Sequence, residues 1–147
     1  MVSINGDYSI STDRATLDLW FIHDYLSKES YWGRGIPFSK VVAAADHSLN
    51  FGLYHYQRQV GYARVVTDYA RVAYLADVFI ISKHRGRGLS KWLMQVITGH
   101  PDLQGMRRWM LHTRDAHGLY EQFGWKAPGK PETYLEIYNP AVKWWAG

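Results

Sequence analysis

The stretch VAYLADVFIISKHRGRGLSKWLMQVITG, residues 72–99, decides the fold because its hydrophobic pattern changes partway along. Its first part is rich in β-branched and aromatic residues, which is typical of a strand. A turn with two glycines, Arg85–Gly88, comes next. Apolar residues then recur at helical spacing until Gly99, which is suited to end a helix. The stretch predicts a strand, a tight basic turn and an amphipathic helix.

The sequence before this stretch predicts a strand or coil at the amino terminus, then two helices followed by two strands. Thr12 and Asp13 offer a cap for a first helix that ends near Ser27, and Pro37 is suited to open a second one. From Asn50 onward β-branched and aromatic residues dominate. Together with the central strand, read as Arg71–Ile81, the strands Phe51–Tyr56 and Val60–Thr67 form an antiparallel meander.

The sequence after this stretch predicts a strand at Met106–His112, a short helix from Asp115 or Ala116 to Phe123, and a last strand at Thr133–Tyr138. The order of elements is typical of an α+β fold, in which helices flank a mixed, mostly antiparallel sheet on both faces.

Composition limits the class of protein. A chain of 147 residues with 47% hydrophobic and 20% charged residues is expected to fold as one domain over residues 1–147. It has no cysteine, which excludes disulfides, thiolate metal sites and a cysteine nucleophile. The net charge of +4 favours anionic partners. No secretion signal or membrane-spanning stretch is evident, so we expect a cytoplasmic protein outside the membrane.

The turn and the start of the following helix, Arg85-Gly86-Arg87-Gly88-Leu89-Ser90, have the chemistry of a phosphate site. Backbone N–H groups at a helix N-terminus attract anions, and glycine lets a phosphate approach without a Cβ in the way. Arg85 and Arg87 add positive charge. The alternative is an ordinary helix-entry turn whose arginines are solvated. Neither the Walker A pattern nor the dinucleotide glycine pattern is present.

Two segments resemble the GNAT acetyltransferases. In the pyrophosphate loop of that family, Arg or Gln is followed by two residues, Gly, one residue, and Gly or Ala; Arg85, Gly88 and Ser90 take these places. The later segment LHTRDAHGLYEQFGW, residues 111–125, is similar to the family's A-x-x-L-Y-x-x-x-G-F ending. Its matching residues are Ala116, Leu119, Tyr120, Gly124 and Trp125.

The resemblance implies a three-layer GNAT fold and an N-acetyltransferase that uses acetyl-CoA as acyl donor. The pantetheine arm would lie along the central strand and the pyrophosphate at the glycine turn. Where many relatives have Asn, this chain has Thr113, whose hydroxyl would face the pantetheine arm. The implied cofactor-binding residues are Val78, Phe79, Ile80, Arg85, Gly86, Arg87, Gly88, Leu89, Ser90, Thr113, Ala116 and Tyr120.

Two residues are candidates for catalysis. By the resemblance, Tyr120 would protonate the leaving thiolate, whereas the alternative is a core aromatic with its hydroxyl at the rim. Asp77 is a candidate base because it interrupts the apolar central strand; alternatively it pairs with an arginine such as Arg64, and water accepts the proton of the amine. None of the seven histidines forms a metal-ligand pattern with nearby carboxylates, so no metal is expected.

The loop between the first two helices is the candidate acceptor site. In relatives this region shapes the acceptor pocket, so Tyr31 and Trp32 would form an aromatic wall, and Arg34 would bind a carboxylate of a small acceptor. A packed interhelical turn is the alternative. The acceptor, a small-molecule amine or a peptide, stays open, as does the choice between monomer and homodimer.

Two other classes of function fit the sequence. One is an acyl-CoA-binding module in which Tyr120 and Asp77 do no chemistry. The other is a basic domain that binds nucleic acid through exposed aromatic and basic residues, since composition alone permits it. The scattered basic residues and the lack of a nucleic-acid-binding motif favour the enzyme.

Overall fold

The computed structural model describes residues 1–144, and its strands form one six-stranded sheet in chain order. The strands are β1 (Val2–Asn5), β2 (Tyr8–Ser11), β3 (Leu49–His55), β4 (Arg58–Thr67), β5 (Val72–Ile80) and β6 (Arg108–Leu111). Neighbouring strands pair antiparallel except β5 and β6, which run parallel and are joined by a crossover connection that contains a helix.

Helices cover both faces of this sheet. They are α1 (Leu19–Lys28), α2 (Phe38–Asp46), α3 (Leu89–Thr98) and α4 (His117–Glu121). Side chains alternate between the faces of a strand, so Tyr62 of β4 packs with α1 and α2, whereas Ala63 and Val65 pack in the core formed with α3 and α4. The predicted fold, a mixed and mostly antiparallel sheet between helical layers, is confirmed.

The start of α1 differs from the sequence prediction. Asp13 caps only a single 3-10 turn, Arg14–Thr16, by accepting a hydrogen bond from the backbone N–H of Ala15. The α-helix begins after Asp18, whose carboxylate accepts from the backbone N–H of Phe21 at 3.0 Å. Both aspartates are good caps, so local sequence does not decide between them.

The predicted last strand, Thr133–Tyr138, is wrong for the structure. Residues 131–133 form a 3-10 turn, and residues 134–138 form no strand. Every residue from 131 to 140 is exposed, including Ile137 at 101%. The strand preference of Tyr and Ile reflects packing against neighbouring strands, and this segment pairs with none of the six described strands.

The place where β5 and β6 part is the feature that positions the site. Their pairing ends at Leu75 and Leu111. The remainder of β5, residues 76–80, pairs with β4 on one side only, which leaves the backbone groups of its other edge open. This open edge leads directly into the turn that precedes α3. Within residues 1–144, no helix combines the length and the apolar character that spanning a bilayer requires.

Candidate active site

A cavity of about 630 Å³ lies where β5 and β6 diverge. Its walls come from α1, the α1–α2 loop, α2, β4, β5 and the segment that joins β6 to α4. Aromatic rings are prominent among the lining side chains, namely those of Tyr31, Trp32, Tyr62, Tyr74 and Tyr120. The volume is in the range of small-molecule sites.

Asp77 lies in this cavity at a β-bulge. Tyr62 pairs with Phe79 and Arg64 with Ala76, so β5 has an extra residue at this point. Asp77 adopts a left-handed backbone conformation with φ of 55°, which Asp tolerates better than most residues. The bulge changes the direction in which this side chain points.

Both carboxylate oxygens of Asp77 are engaged. The Nε atom of Arg64 donates to Oδ2 at 2.6 Å, and the indole N–H of Trp32 donates to Oδ1 at 2.9 Å. The ion pair is sheltered, since the Arg64 and Asp77 side chains are 19% and 15% exposed. Of the two roles that the sequence left open for Asp77, these contacts favour the pairing with Arg64 over that of a free base.

We expect Asp77→Asn to lower the free energy of unfolding by about 1–3 kcal/mol, because a charged hydrogen bond is weakened in a sheltered place. Asn also tolerates the left-handed backbone, so the bulge is retained. The pH dependence of turnover should keep its shape if Asp77 is not the base. Denaturant unfolding and a pH–rate profile test this.

The matched control is Asp46→Asn, which breaks the Arg14–Asp46 pair on the surface, where the side chains are 40% and 49% exposed. Such a pair contributes at most about 1 kcal/mol. A shift in the acidic limb of the profile of Asp77→Asn, without loss of stability, would reassign Asp77 as the base.

Tyr120 is held by α4 with its ring among the core residues. The residue is 8% exposed, and its ring meets that of Trp125 edge-on at 6.0 Å. Burial, with smaller contributions from Tyr31 and Asp115, raises its pKa to about 12. Among residues 1–144, no group forms a hydrogen bond with the Tyr120 hydroxyl. Every fully buried polar side-chain atom in this part of the chain does have a partner, so the hydroxyl is not fully buried. Since Tyr120 lines the cavity, we infer that its hydroxyl reaches the cavity. A neutral phenol at this place can donate a proton.

The turn before α3 presents its backbone to solvent. Gly86 and Gly88 both have φ of 76°, and an added Cβ would meet nothing within 4 Å at either position. Gly88 is the N-cap residue of α3 and makes no side-chain cap, so the first N–H groups of the helix are free for a ligand. Buried Leu89 fixes the helix to the core, while Arg87 is exposed and Ser90 half-buried.

Arg85 has a structural role in addition to its charge. Its Nε atom donates to the carbonyl oxygen of Ile80 at 2.8 Å, and Nη2 donates to the hydroxyl of Tyr25 at 3.0 Å. These bonds join the end of β5, the turn and α1. The guanidinium therefore holds the turn in place next to the open edge of β5.

The other proposed cofactor residues lie on both sides of the divergence. Val78, Thr113 and Ala116 line the cavity, and Thr113 Oγ1 accepts a hydrogen bond from the N–H of Ala116 at 3.0 Å. The side chain of Phe79 is instead buried on the α1 face, stacked on Tyr25 at 3.9 Å, and that of Ile80 lies in the opposite core. Phe79 and Ile80 can therefore offer only main-chain groups to a ligand.

The α1–α2 loop is attached on both sides of the cavity. Trp32 reaches Asp77 on β5, while the Tyr31 hydroxyl accepts from the backbone N–H of Arg114, after β6, at 3.0 Å. Tyr31 and Trp32 both line the cavity. Arg34 is exposed and is not among the lining residues, so the structure does not bring it together with the other candidates.

Sequence reasoning did not select Tyr74 or Arg114, which also line the cavity. The Tyr74 hydroxyl lies 3.0 Å from Nδ1 of His112, and the Arg114 guanidinium lies over the ring of Tyr31, 3.8 Å from its centroid. The only signal was that Arg114 follows Thr113 in the second motif. No metal site with three or more His, Asp or Glu side chains is found in the part of the chain that the structure describes.

Comparisons with known proteins identify the family that this chain resembles. The family model described as Acetyltransferase (GNAT) family matches residues 37–125. A Gibberella zeae protein named as an inferred acetyltransferase, FG08082, is 34% identical over 137 residues, which cover 78% of this chain and 76% of that protein.

Solved structures are similar as well. A Xanthomonas campestris protein assigned to the GNAT family (xcc2953) superposes with a TM-score of 0.89 at 49% identity, over 92% of this chain and 95% of that one. The spermidine N-acetyltransferase of Vibrio cholerae, solved with CoA and spermine, has a TM-score of 0.67 at 21% identity, over 85% and 84% of the two chains. At that identity the second match bears on the fold alone.

Proposed function

Because the chain belongs to the GNAT acetyltransferase family, we propose that it transfers the acetyl group of acetyl-CoA to a primary amine of a small acceptor. The observation that carries this proposal is the cavity at the divergence of β5 and β6, which contains the Tyr120 hydroxyl and adjoins the open edge of β5. That edge leads to the free N–H groups at the start of α3. A phenol that can act as a general acid and a site that can bind an anion thus lie along one groove.

The residues present fit acetyl-CoA. The open edge of residues 76–80 offers main-chain N–H and C=O groups that can pair with the amides of a pantetheine arm, much as an extended peptide adds to a sheet edge. The N-terminal amides of α3, with Gly86 and Gly88 free of side chains and Arg87 exposed, suit a pyrophosphate. Thr113 and Ala116 form the opposite wall.

The bound donor supplies a thioester carbonyl, to which the amine nitrogen forms a C–N bond as the C–S bond breaks, giving an amide and CoA. Tyr120, whose phenol is protonated at physiological pH, gives its proton to the departing sulfur. With both oxygens of Asp77 occupied, water takes the proton of the amine, and the phenolate of Tyr120 regains a proton from water. Asp77 is then a positioning residue that ties Trp32 and Arg64 to β5.

Titration of the protein with acetyl-CoA by calorimetry tests the cofactor site. We expect saturable 1:1 binding that requires the pantetheine arm, because the open edge of β5 contributes contacts in addition to the phosphate site. Adenosine 3′,5′-bisphosphate, which lacks the arm, is the control for attraction to positive charge. Equal affinity for both compounds, or no binding, would refute the site.

Turnover distinguishes an enzyme from a silent binding module. The thiol released from acetyl-CoA is measured with a thiol reagent, to which a chain without cysteine adds no background. Binding without thiol release for any primary amine would favour the silent module.

A further inference from the structure

Two guanidinium groups at the cavity differ in how they are paired. Arg64 is neutralised by Asp77 at 2.6 Å. Arg114 has no ion pair with any carboxylate of residues 1–144, although Asp115 is its neighbour in the chain. The cavity therefore offers one cation whose N–H groups are free to bind an anion.

Arg114 is held in a defined position although its side chain is exposed. Its guanidinium lies over the ring of Tyr31, and its backbone N–H donates to the hydroxyl of the same tyrosine. Tyr31 packs edge-on against Trp32, with ring centroids 5.0 Å apart, and Asp77 holds the indole. Stacking on a fixed ring reduces the entropy that the guanidinium loses when it binds an anion.

Of the two aspartates that line the cavity, Asp77 has both oxygens engaged, whereas Asp115 is exposed to solvent beside Arg114. Tyr62 and Tyr120 both have a raised pKa because of burial, so their phenols stay neutral. A second ammonium group buried beside Asp77 and these phenols would find no free carboxylate there, and burial of an unpaired charge is costly. Asp115 could meet such a group only at the exposed rim of the cavity. The walls suit an apolar body instead.

We infer that the acceptor is a small primary amine with an apolar body and a carboxylate, which Arg114 binds from the aromatic side of the cavity. This inference rests on the proposed acetyl transfer and specifies its substrate class. The planar guanidinium matches a carboxylate with two parallel hydrogen bonds. Arg114 thus takes the role that sequence reasoning gave to Arg34.

A panel of acceptors tests the inference. It pairs amino acids with their decarboxylated counterparts, such as phenylalanine with phenethylamine and leucine with isopentylamine, and it includes spermidine. We expect the highest kcat/KM for a member that has both an apolar body and a carboxylate. A preference for the decarboxylated amines or for spermidine would overturn the inference, as would acetyl-CoA binding without turnover of any member.

Variants of Arg114 link that preference to the residue. Arg114→Gln should lower kcat/KM for carboxylate acceptors by roughly tenfold to a hundredfold, mainly through KM, because charged hydrogen bonds are lost. The rates with decarboxylated amines should fall far less than those with carboxylate acceptors, and the affinity for acetyl-CoA should stay the same. Arg114→Lys should restore part of the loss, since it keeps the charge but not the planar fork.

The matched control is Arg107→Gln, an exposed arginine outside the cavity lining, which should change neither rate. Equal losses for both classes of acceptor in Arg114→Gln would overturn the inference. If the wild-type protein did not bind acetyl-CoA at all, the proposed function itself would be refuted. Failure of the inference and failure of the proposed function are therefore distinguishable.

Discussion

Gly88→Asp is expected to weaken acetyl-CoA binding by roughly a hundredfold or more, because a carboxylate would face the pyrophosphate and like charges in contact cost several kcal/mol. Gly88 is the N-cap of α3 with φ of 76°, and a Cβ added there would meet nothing within 4 Å, so the new side chain has room. Asp is itself a favourable N-cap residue and can adopt left-handed backbone angles. The variant should therefore fold, and calorimetry should show the loss in affinity.

Gly105→Asp is a closely matched control. Gly105 also has φ of 76° with nothing within 4 Å of an added Cβ, but it lies in the turn before β6. Gly105→Asp introduces the same charge and the same left-handed backbone strain as Gly88→Asp, but at a place without a phosphate nearby. Equal affinity for acetyl-CoA in wild type and Gly88→Asp would place the pyrophosphate elsewhere, and equal losses in both variants would attribute the effect to net charge.

Tyr120→Phe is expected to lower turnover by roughly ten- to a thousandfold, which overlaps the usual contribution of a general acid. The ring remains buried against Trp125, so the affinity for acetyl-CoA should be nearly unchanged. Since the pKa of Tyr120 is raised to about 12, the wild-type phenol keeps its proton at pH values well below that. An alkaline loss of activity near pH 9 would therefore belong to another group.

Tyr54→Phe controls for the removal of a phenolic hydroxyl. Tyr54 is as buried as Tyr120, at 7% exposed, but its hydroxyl bonds to Thr16 outside the cavity. Its loss should reduce stability modestly and leave turnover unchanged. Wild-type turnover in Tyr120→Phe would show that this residue is only a core aromatic.

Local patterns predicted most of the fold. The observed limits of β3, β4 and β5 differ from the predicted ones by no more than two residues, and α3 begins after the glycine turn as expected. These elements carry their own signals, namely β-branched residues, glycines and helical spacing. The strand expected at Thr133–Tyr138 has the same composition, but a strand also needs a neighbour, and no local pattern reports one.

The side-chain contacts within the candidate site were predictable only where the partners are close in sequence. Asp77 stood out as a carboxylate in an apolar strand, and Arg64 was its foreseen partner. The indole of Trp32, which completes that cluster, comes from 45 residues away. Likewise the contact between Arg114 and Tyr31 spans 83 residues, so no local pattern indicated it.

The parallel contact between β5 and β6 has a consequence for how this molecule folds and opens. The other pairings of the described sheet join strands that are antiparallel, and three of them join consecutive strands through short turns. The connection between β5 and β6 contains α3, so pairing these strands closes a much longer loop than a hairpin does. We expect the β5–β6 seam to form later than the three hairpins and to open locally before them. A ligand that contacts both β5 and the segment after β6 should hold the two strands together. It should therefore slow amide exchange in β6 more than in the hairpin of β1 and β2.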